Sequence, residues 1–320
     1  MARKAGHLSR MPGFLAVVRY ELLWNIRKKK FLAILILAFG LASLTLFLPV
    51  VLDNANNLPT EPNPNYVITT GTGVGSFGFF LFALVTVMNS ISGEFESGSI
   101  VPLLTKPVSR TTVYAGKLFA AVVTVLAAYV LLTIYMAAGG YAIYGPQNDV
   151  YLIIVTLLGS ILSTLVWMSI VLAAGSVSKN SMLTALLAIG IFFGLTIASG
   201  VLSSFSSQAW VLTYAPGNGA LAVLGNPTAN INVTGNIATQ SVSTGTDGIP
   251  ETLVTYILHP AQNVTFFKAE FMGQRQEVLV PLYSEPMSIV VVRSIAVAAI
   301  YVFVFNFIAW YALKRAQVTE

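Results

Sequence analysis

Residues 91–117 read ISGEFESGSIVPLLTKPVSRTTVYAGK and lie between two long hydrophobic runs. Only 9% of the 320 residues are charged, yet this stretch contains two glutamates, two lysines and one arginine. A short charged segment between apolar runs is typical of a loop that connects two membrane-spanning helices. The stretch therefore predicts where the chain leaves the bilayer and re-enters it.

The composition of the whole chain also indicates a membrane protein. Hydrophobic residues make up 56% of the chain and its mean hydropathy is +0.78, which is too apolar for a soluble domain. A helix needs about 20 apolar residues to cross a bilayer. Runs of about that length predict an all-α polytopic membrane protein with six transmembrane helices, at Phe31–Val51, Val74–Ser92, Leu118–Tyr141, Tyr151–Ala174, Leu183–Phe205 and Met287–Leu313.

The distribution of lysine and arginine predicts the orientation of these helices. All of the 17 basic residues except Lys268, Arg275 and Arg293 lie before the first span, in every second loop, or after the last span. Basic residues are enriched in cytoplasmic loops, so both termini and loop 93–117 are expected in the cytoplasm. Because topology accounts for the net charge of +5, the charge does not indicate a nucleic-acid partner.

The segment before the first span has the pattern of an amphipathic helix. Residues 1–30 comprise a basic tail and this helix, whose apolar side chains recur at helical spacing from Phe14 to Ile26. Trp24 and the basic cluster 27–30 are suited to the headgroup layer of the membrane. We therefore expect an interfacial helix in contact with membrane lipids.

The chain then divides into three further regions. Residues 31–205 carry spans one to five, residues 206–286 form an extracellular segment, and residues 287–320 carry the sixth span and a cytoplasmic tail. The extracellular segment is predicted to be a small α/β unit, with strands in 251–258 and 263–283 and a hairpin turn at Met272–Gly273. Its Asn/Thr-rich part, 226–250, has too few apolar residues to fold alone.

Two sequons lie on the predicted outer side of the membrane. They begin at Asn232 and Asn263 and are consistent with a glycoprotein. The chain has no cysteine, and its two histidines are far apart in sequence, so neither a disulfide nor a metal site is expected. The absence of cysteine and the Asn/Thr-rich exterior favour an archaeal source.

Within loop 93–117, the helix of the second span is predicted to continue through GEFESGSIVPLL. Glu94 and Glu96 lie near its start, and Ile100, Leu103 and Leu104 follow at helical spacing. Pro107 is expected to stop this helix, and VSRTT is expected to form a turn before the third span. The loop therefore predicts a short amphipathic helix across the cytoplasmic face.

This loop resembles the first cytoplasmic loop of the permease subunits of type 2 ABC transporters. In that family an acidic residue, a Glu-x-Gly-Thr-like step, a Leu-Leu pair and a Pro-Val-Ser-Arg element precede a Gly-Lys at the next span. The departure here is Ser99, where threonine is usual. The matching residues are Glu94, Glu96 to Ser99, Leu103-Leu104, Pro107 to Arg110 and Gly116-Lys117, and RYELLWNIRKKKFL before the first span is similar to the family's connecting helix.

The resemblance covers the first 120 residues and implies a coupling helix that docks on a separate ATP-binding subunit. Gly116-Lys117 lacks the surrounding residues of a phosphate-binding loop, so ATP and Mg would be held by that partner, and no cofactor is expected in this chain. The family also implies a second permease copy, as a homodimer. The implied coupling residues are Glu94, Glu96, Gly98, Leu103, Leu104, Pro107 and Arg110, and those of the connecting helix are Arg19, Glu21 and Arg27.

By the same resemblance, the second and fifth spans would line a translocation pathway in a plasma-membrane exporter. Their largely apolar wall predicts a hydrophobic or amphipathic substrate moved outward, and the chain itself would not be an enzyme. An ion-coupled secondary transporter is the alternative, but none of the six predicted spans holds the Asp, Glu or His that such proteins use. A non-transport scaffold is a further alternative. The wall residues are Phe79, Phe82, Phe192, Phe193, Thr196 and Ser199.

Three polar residues in the predicted spans have two interpretations each. Arg293, about two turns into the sixth span, can extend to the outer headgroups or face a cavity. Asn89 and Asn306 can serve helix packing or substrate binding, and packing is the commoner role.

Overall fold

The computed structural model describes residues 10–27, 29–98, 109–205, 214–217, 248–258, 260–261, 263–272 and 276–315. The first half of the chain forms α1 (Arg10–Arg27), α2 (Lys29–Ala55), α3 (Tyr66–Thr70), α4 (Gly75–Val87), α5 (Ser92–Glu96) and α6 (Arg110–Tyr144). The second half forms a 3₁₀ turn (Val150–Leu152), α7 (Ile153–Ser178), α8 (Ser181–Phe205), α9 (Ile249–Leu258), β1 (Asn263–Met272), β2 (Gln276–Pro286) and α10 (Met287–Arg315).

Across these described ranges, six segments are long and apolar enough to cross a membrane. They confirm the predicted six-span, predominantly helical fold, although most of their bounds differ from those predicted. The third span begins at Arg110 rather than Leu118, because Ser109 caps the helix by accepting a hydrogen bond from the Thr112 backbone N–H. The segments are Phe31–Ala55, Gly75–Glu96, Arg110–Tyr144, Val150–Ser178, Ser181–Ala198 and Met287–Arg315.

Helices α1 and α2 pack one after the other along α6. Gly116 of α6 permits the approach of α1, because a Cβ there would lie 2.8 Å from a methyl group of Val17. Further along α6, the hydroxyls of Tyr135 and Ser43 in α2 are 2.6 Å apart. The charged end of α6 is therefore covered by α1, and its apolar remainder by α2.

The second span begins deeper inside the bundle than the point where the first span ends. The Tyr66 hydroxyl of α3 donates to the Thr45 carbonyl at 2.7 Å, and the Thr45 hydroxyl donates to the Gly73 carbonyl at 3.1 Å. Thr45 lies ten residues before the end of α2, which is about 15 Å along the helix axis. The segment from α3 to Gly73 therefore enters the bundle before α4 starts.

Helix α9 enters the bundle from the end that carries α3. Its second residue, Pro250, lies against Gly159 of α7, and Ile249 is fully buried. The other end of α9 contributes Val254 to a small cluster with Ile68 and Leu152. Residues 251–258 are therefore a helix inserted into the bundle, and the strand predicted there is wrong.

The helical state of this segment has a local cause. Pro250 in the first turn has the backbone angle of a helix and lacks the N–H that would be left unpaired there. Glu251 places a negative charge at the positive end of the helix dipole. Both signals outweigh the β-branched residues that suggested a strand.

The β-hairpin predicted for the second part of the segment is confirmed. Strands β1 and β2 are antiparallel, with Asn263 opposite Pro286 and Met272 opposite Gln276. The predicted turn position follows Met272, and residues 273–275 lie outside the described residues. The Asn/Thr-rich part up to residue 247, including Asn232, also lies outside them.

The spans connect two ends of the bundle. The loop end carries α1, α5, the start of α6, the α7–α8 turn and the last residues of α10. The hairpin end carries α3, α9, the β-hairpin and the start of α10.

Candidate functional site

A buried cluster of three charged side chains lies at the loop end. The Lys117 ammonium donates to the Glu21 carboxylate at 2.5 Å and to the Glu94 carboxylate at 2.6 Å. The side chains of Lys117, Glu21 and Glu94 are only 4%, 6% and 20% exposed. The cluster therefore joins three elements, α6, α1 and α5, through one cation.

Helical periodicity in the sequence places Glu21 on the buried face of α1. Glu21 shares the inward face of α1 with Val18 and Asn25, at spacings of three and four residues. The Asn25 amide lies 3.4 Å from the Thr124 hydroxyl of α6, so the buried face of α1 is partly polar. Two carboxylates face one ammonium, so the positive charge of Lys117 is required to offset the cost of burying them.

Glu96 connects the same loop to the fifth span. Its carboxylate accepts a hydrogen bond from the Ser181 backbone N–H at 3.0 Å, at the first residue of α8. A negative charge there interacts favourably with the helix dipole of α8. The Lys179 ammonium lies 5.4 Å from the centre of the Phe95 ring. Helix α5 therefore rests on the turn between α7 and α8.

Arg110 connects the other end of the loop to the sixth span. Its guanidinium donates to the carbonyls of Leu313 at 3.2 Å and Lys314 at 2.9 Å. These carbonyls belong to the last turn of α10, where backbone acceptors are without helical partners. The Trp310 indole also donates to the Thr111 hydroxyl at 3.1 Å.

One turn further into the bundle, a polar contact joins three spans. The Tyr114 hydroxyl donates to the Asn306 side chain at 2.5 Å, and the Asn306 amide donates to the Ser169 hydroxyl at 2.6 Å. Asn306 therefore packs α6, α10 and α7 together, which supports the packing interpretation of this residue.

The described part of loop 93–117 thus connects to α1 through Lys117, which also binds Glu94, to α8 through Glu96, and to α10 through Arg110. Glu94, Glu96 and Arg110 are residues predicted to dock on a partner, and the structure gives each of them contacts within the chain. Leu103, Leu104 and Pro107 lie outside the described residues. The loop is therefore a junction between spans, whatever else it binds.

The helix predicted to run through GEFESGSIVPLL is interrupted after Glu96, and its second part, with Ile100, Leu103 and Leu104, lies outside the described residues. Helix α5 stops at Glu96, and Gly98 follows with a φ of +69°, a left-handed conformation that terminates helices. The chain also bends at residues 88–91, so α5 is separate from α4. The turn predicted for VSRTT is wrong as well, because Arg110–Thr112 form the first turn of α6.

Helix α1 presents two different faces. Arg19 and Arg27 of the predicted connecting helix are exposed, whereas Glu21 is 5% exposed and pairs with Lys117. The outward face is apolar and includes Leu15, Trp24 and Ile26. This arrangement leaves an apolar surface beside basic residues, as in helices that lie at a membrane surface.

The residues predicted to line a pathway occupy two different environments. Phe79 and Phe82 are 3% and 1% exposed, and both rings pack against Tyr129 of α6. Phe193 is 47% exposed, and Thr196 beside it is also exposed. The structure therefore separates Phe79 and Phe82 in the core from a surface on α8.

Phe192 lies at the boundary between these environments. Its ring stacks on Phe80 with centroids 4.3 Å apart and also contacts Phe77, which is exposed. Phe77 is not among the residues predicted to line the pathway. Its position near Phe193 was not predictable, because the two residues belong to different spans and meet only in the folded chain. The side chain of Ser199 lies outside the described residues.

The sequence motif marks Lys117 only as part of a Gly-Lys pair, and the contacts of Lys117 with Glu21 and Glu94 were not predicted. A signal was present, since Glu21 interrupts the apolar side of a helix and Lys117 directly precedes a long apolar run. Within the described ranges, no group of three His, Asp or Glu side chains is positioned to hold a metal ion.

These features define the class of protein: a multi-pass membrane protein whose charged loop joins several spans. A family model described as "ABC-2 family transporter protein" matches residues 15–315. The chain therefore belongs to the ABC-2 transporter family, as a permease-type subunit of the plasma membrane. No curated protein gives a significant match to the chain.

Proposed function

We propose that this chain is the membrane-spanning subunit of an ATP-driven exporter, with loop 93–117 as its docking element for a separate ATP-binding subunit. The observation that supports this most directly is the triple attachment of the loop to α1, α8 and α10. Force applied to such a junction moves several spans together. In this proposal ATP and Mg bind to the partner, and the loop end faces the cytoplasm.

The contacts suggest how displacement would spread from the loop. Glu94 connects α5 to α1 through Lys117, so α1 and the start of α6 would follow the loop. Glu96 would carry the motion to the first residue of α8, which leads into the fifth span. Packed helices shift as rigid bodies, so small displacements at these contacts would change the arrangement of the spans.

The exposed faces suggest the remaining partners. Helix α8 presents apolar side chains over most of its described surface, including Leu186, Phe193 and Ile197, which would suit a second permease copy or lipid. The residues predicted to line the pathway are mostly aromatic and apolar, which favours a hydrophobic or amphipathic substrate. The apolar face of α1 would contact membrane lipids, and Asn263, exposed at the base of the hairpin, would be available for glycosylation.

The docking proposal predicts that Glu96→Arg prevents recovery of the ATP-binding subunit. Arginine would remove the acceptor for the Ser181 N–H and place a positive charge at the positive end of the α8 dipole, so α5 would no longer rest on α8. The measurement is co-purification of the ATP-binding subunit expressed with the tagged permease. We expect at least a tenfold loss of recovered ATP-binding subunit.

The matched control is Glu96→Gln, which keeps an oxygen acceptor for the Ser181 N–H and removes only the charge. It should retain most of the bound subunit. Equal recovery with wild-type and Glu96→Arg permease, when both are folded, would contradict docking through this loop. Failure of the wild-type permease to recover any ATP-binding subunit would contradict the proposed function itself.

The orientation is tested by cysteine accessibility, because the chain has no cysteine of its own. Glu61 lies between α2 and α3 at the hairpin end, and Ser97 lies at the loop end; both are exposed. In intact cells, a membrane-impermeant maleimide should label Glu61→Cys and should label Ser97→Cys only after permeabilisation. The reverse pattern would place loop 93–117 outside and exclude its docking to a cytoplasmic ATP-binding subunit.

A further inference from the structure

The sixth span, α10, is fixed at both of its ends. At the loop end, Arg110 binds the carbonyls of Leu313 and Lys314, and Trp310 binds Thr111. These contacts attach the last turns of α10 to the first turn of α6. Because that turn is the last part of loop 93–117, the end of α10 must follow the loop when it moves.

At the hairpin end, an ion pair fixes α10 to strand β2. The two terminal nitrogens of the Arg293 guanidinium donate to the two carboxylate oxygens of Glu285, one of them at 3.1 Å. Glu285 is 3% exposed, and the Arg293 side chain is 15% exposed. Arg293 therefore binds a residue of the hairpin, which neither sequence-based interpretation of it anticipated. A buried two-point contact of this kind holds its partners in one orientation.

The backbone makes this junction stiffer. Strand β2 ends at Pro286 and α10 begins at Met287, so the strand continues directly into the helix. Proline also restricts the backbone at the junction. The Glu285–Arg293 pair then connects the last strand residues to the second turn of α10, eight residues along the chain.

Between these two ends, α10 is supported along α7. Val290, Ser294 and Ala298 are buried near the hairpin end, and Ala309 and Leu313 are buried near the loop end. Asn306 adds the hydrogen bond to Ser169 of α7. Helix α10 contains no proline, the commonest cause of a kink, and its close packing along α7 lets it move as one piece.

From these contacts we infer that α10 and the β-hairpin form one rigid body that carries movement of loop 93–117 across the membrane to the opposite side. The hairpin is then an arm that changes position with the nucleotide state of the partner, and Glu285–Arg293 is the positioning pair at its base. This inference rests on the proposed function, because the ATP-binding subunit supplies the movement.

The size of the movement follows from the length of the arm. Ten strand residues extend about 30 Å. A rotation of about 10° at the base, within the range of known rigid-body transitions, displaces the tip by roughly 5 Å. A distance measurement between spin labels resolves a change of this size.

The experiment uses the complete complex in lipid nanodiscs. Spin labels are placed at Gln276→Cys on the hairpin and Glu61→Cys on the α2–α3 connection, and labelled chain is diluted with unlabelled chain. Electron–electron double resonance measures the distance without nucleotide and with ATP and vanadate. The expected result is a shift of roughly 5 Å between these two states.

A charge-free variant, Glu285→Gln with Arg293→Met, tests the junction without leaving one buried charge unpaired. It should lose at least half of the shift, while ATP hydrolysis and recovery of the ATP-binding subunit stay at wild-type values. The exchanged pair, Glu285→Arg with Arg293→Glu, should restore the shift. Retention of the full shift in the charge-free variant would overturn the role of the pair.

Two further outcomes separate this inference from the proposed function. If the complex forms and hydrolyses ATP but the label distance does not change, the hairpin does not move with α10 and the inference is wrong. If the permease recovers no ATP-binding subunit, the proposed function fails, and the inference fails with it because no source of movement exists.

Discussion

Replacement of Lys117 by methionine should remove the folded permease from the membrane fraction or lower its melting temperature strongly. The side chain is 4% exposed and is the cation between the carboxylates of Glu21 and Glu94. Its loss leaves two negative charges close together in a buried position. Removing one partner of a buried ion pair costs about 3–5 kcal/mol, a large share of the roughly 5–15 kcal/mol that stabilises a typical domain.

The measurement is the melting temperature of detergent-purified protein, followed by tryptophan fluorescence. Lys29→Met is the matched control, because Lys29 is an exposed lysine in the first turn of α2. It should melt within a few degrees of the wild type, since exposed charges contribute about 1 kcal/mol or less. A Lys117→Met protein that melts together with this control would contradict a structural role for the cluster.

A neutral version of the cluster separates folding from coupling. Glu21→Gln, Glu94→Gln and Lys117→Met together remove all three charges, so the buried repulsion disappears and most of the melting temperature should return. The contacts that join α1, α5 and α6 would still be missing from this variant. If the proposed ATP-binding subunit docks on this loop, we therefore expect a folded permease that still binds this subunit but no longer changes its rate of ATP hydrolysis.

The spans could be predicted from sequence because their signal is long and uniform. A run such as Leu118–Tyr141 has enough apolar residues to identify a helix without any tertiary information. The first turns of α6 were missed, because Arg110 and Lys117 are charged and resemble loop residues in sequence. Their charges are balanced by Glu94 and by the carbonyls at the end of α10, and these partners are visible only in the folded chain.

Short segments were harder to predict, for a related reason. An apolar run such as 251–258 has few residues, so its periodicity does not distinguish a strand from a short helix. The hairpin at β1 and β2 was predictable because both strands are longer and a turn signal separates them. Burial of Phe79 and Phe82 against Tyr129 was not predictable, since apolar residues on a span look the same whether they face protein, lipid or a pathway.

Gly159→Val should displace α9 from the bundle. A Cβ at this position would lie 2.6 Å from the Cα and 2.9 Å from the backbone nitrogen of Pro250. Backbone atoms cannot rotate away as a side chain can, so α9 itself must move. Overpacking of this kind costs about 1–3 kcal/mol, and here that cost falls on the contact between α7 and α9.

The displacement can be measured as chemical access to Ile249, the first residue of α9, which is fully buried. A cysteine at position 249 should be protected from a membrane-impermeant thiol reagent in the parent chain, which has no other cysteine. Adding Gly159→Val should raise its reaction rate roughly 5- to 150-fold, because each 1.4 kcal/mol changes an equilibrium tenfold.

Gly190→Val is the matched control for this substitution. Gly190 lies in α8 and has nothing within 4 Å of its Cβ position, so the same change in side chain creates no overlap there. Protection of the cysteine at position 249 should then be unchanged. Equal rates in the two valine variants would show that α9 is not held by its contact with Gly159. A selective increase with Gly159→Val would show that α9 shields this part of the bundle from the hairpin end, as its close contact with α7 requires.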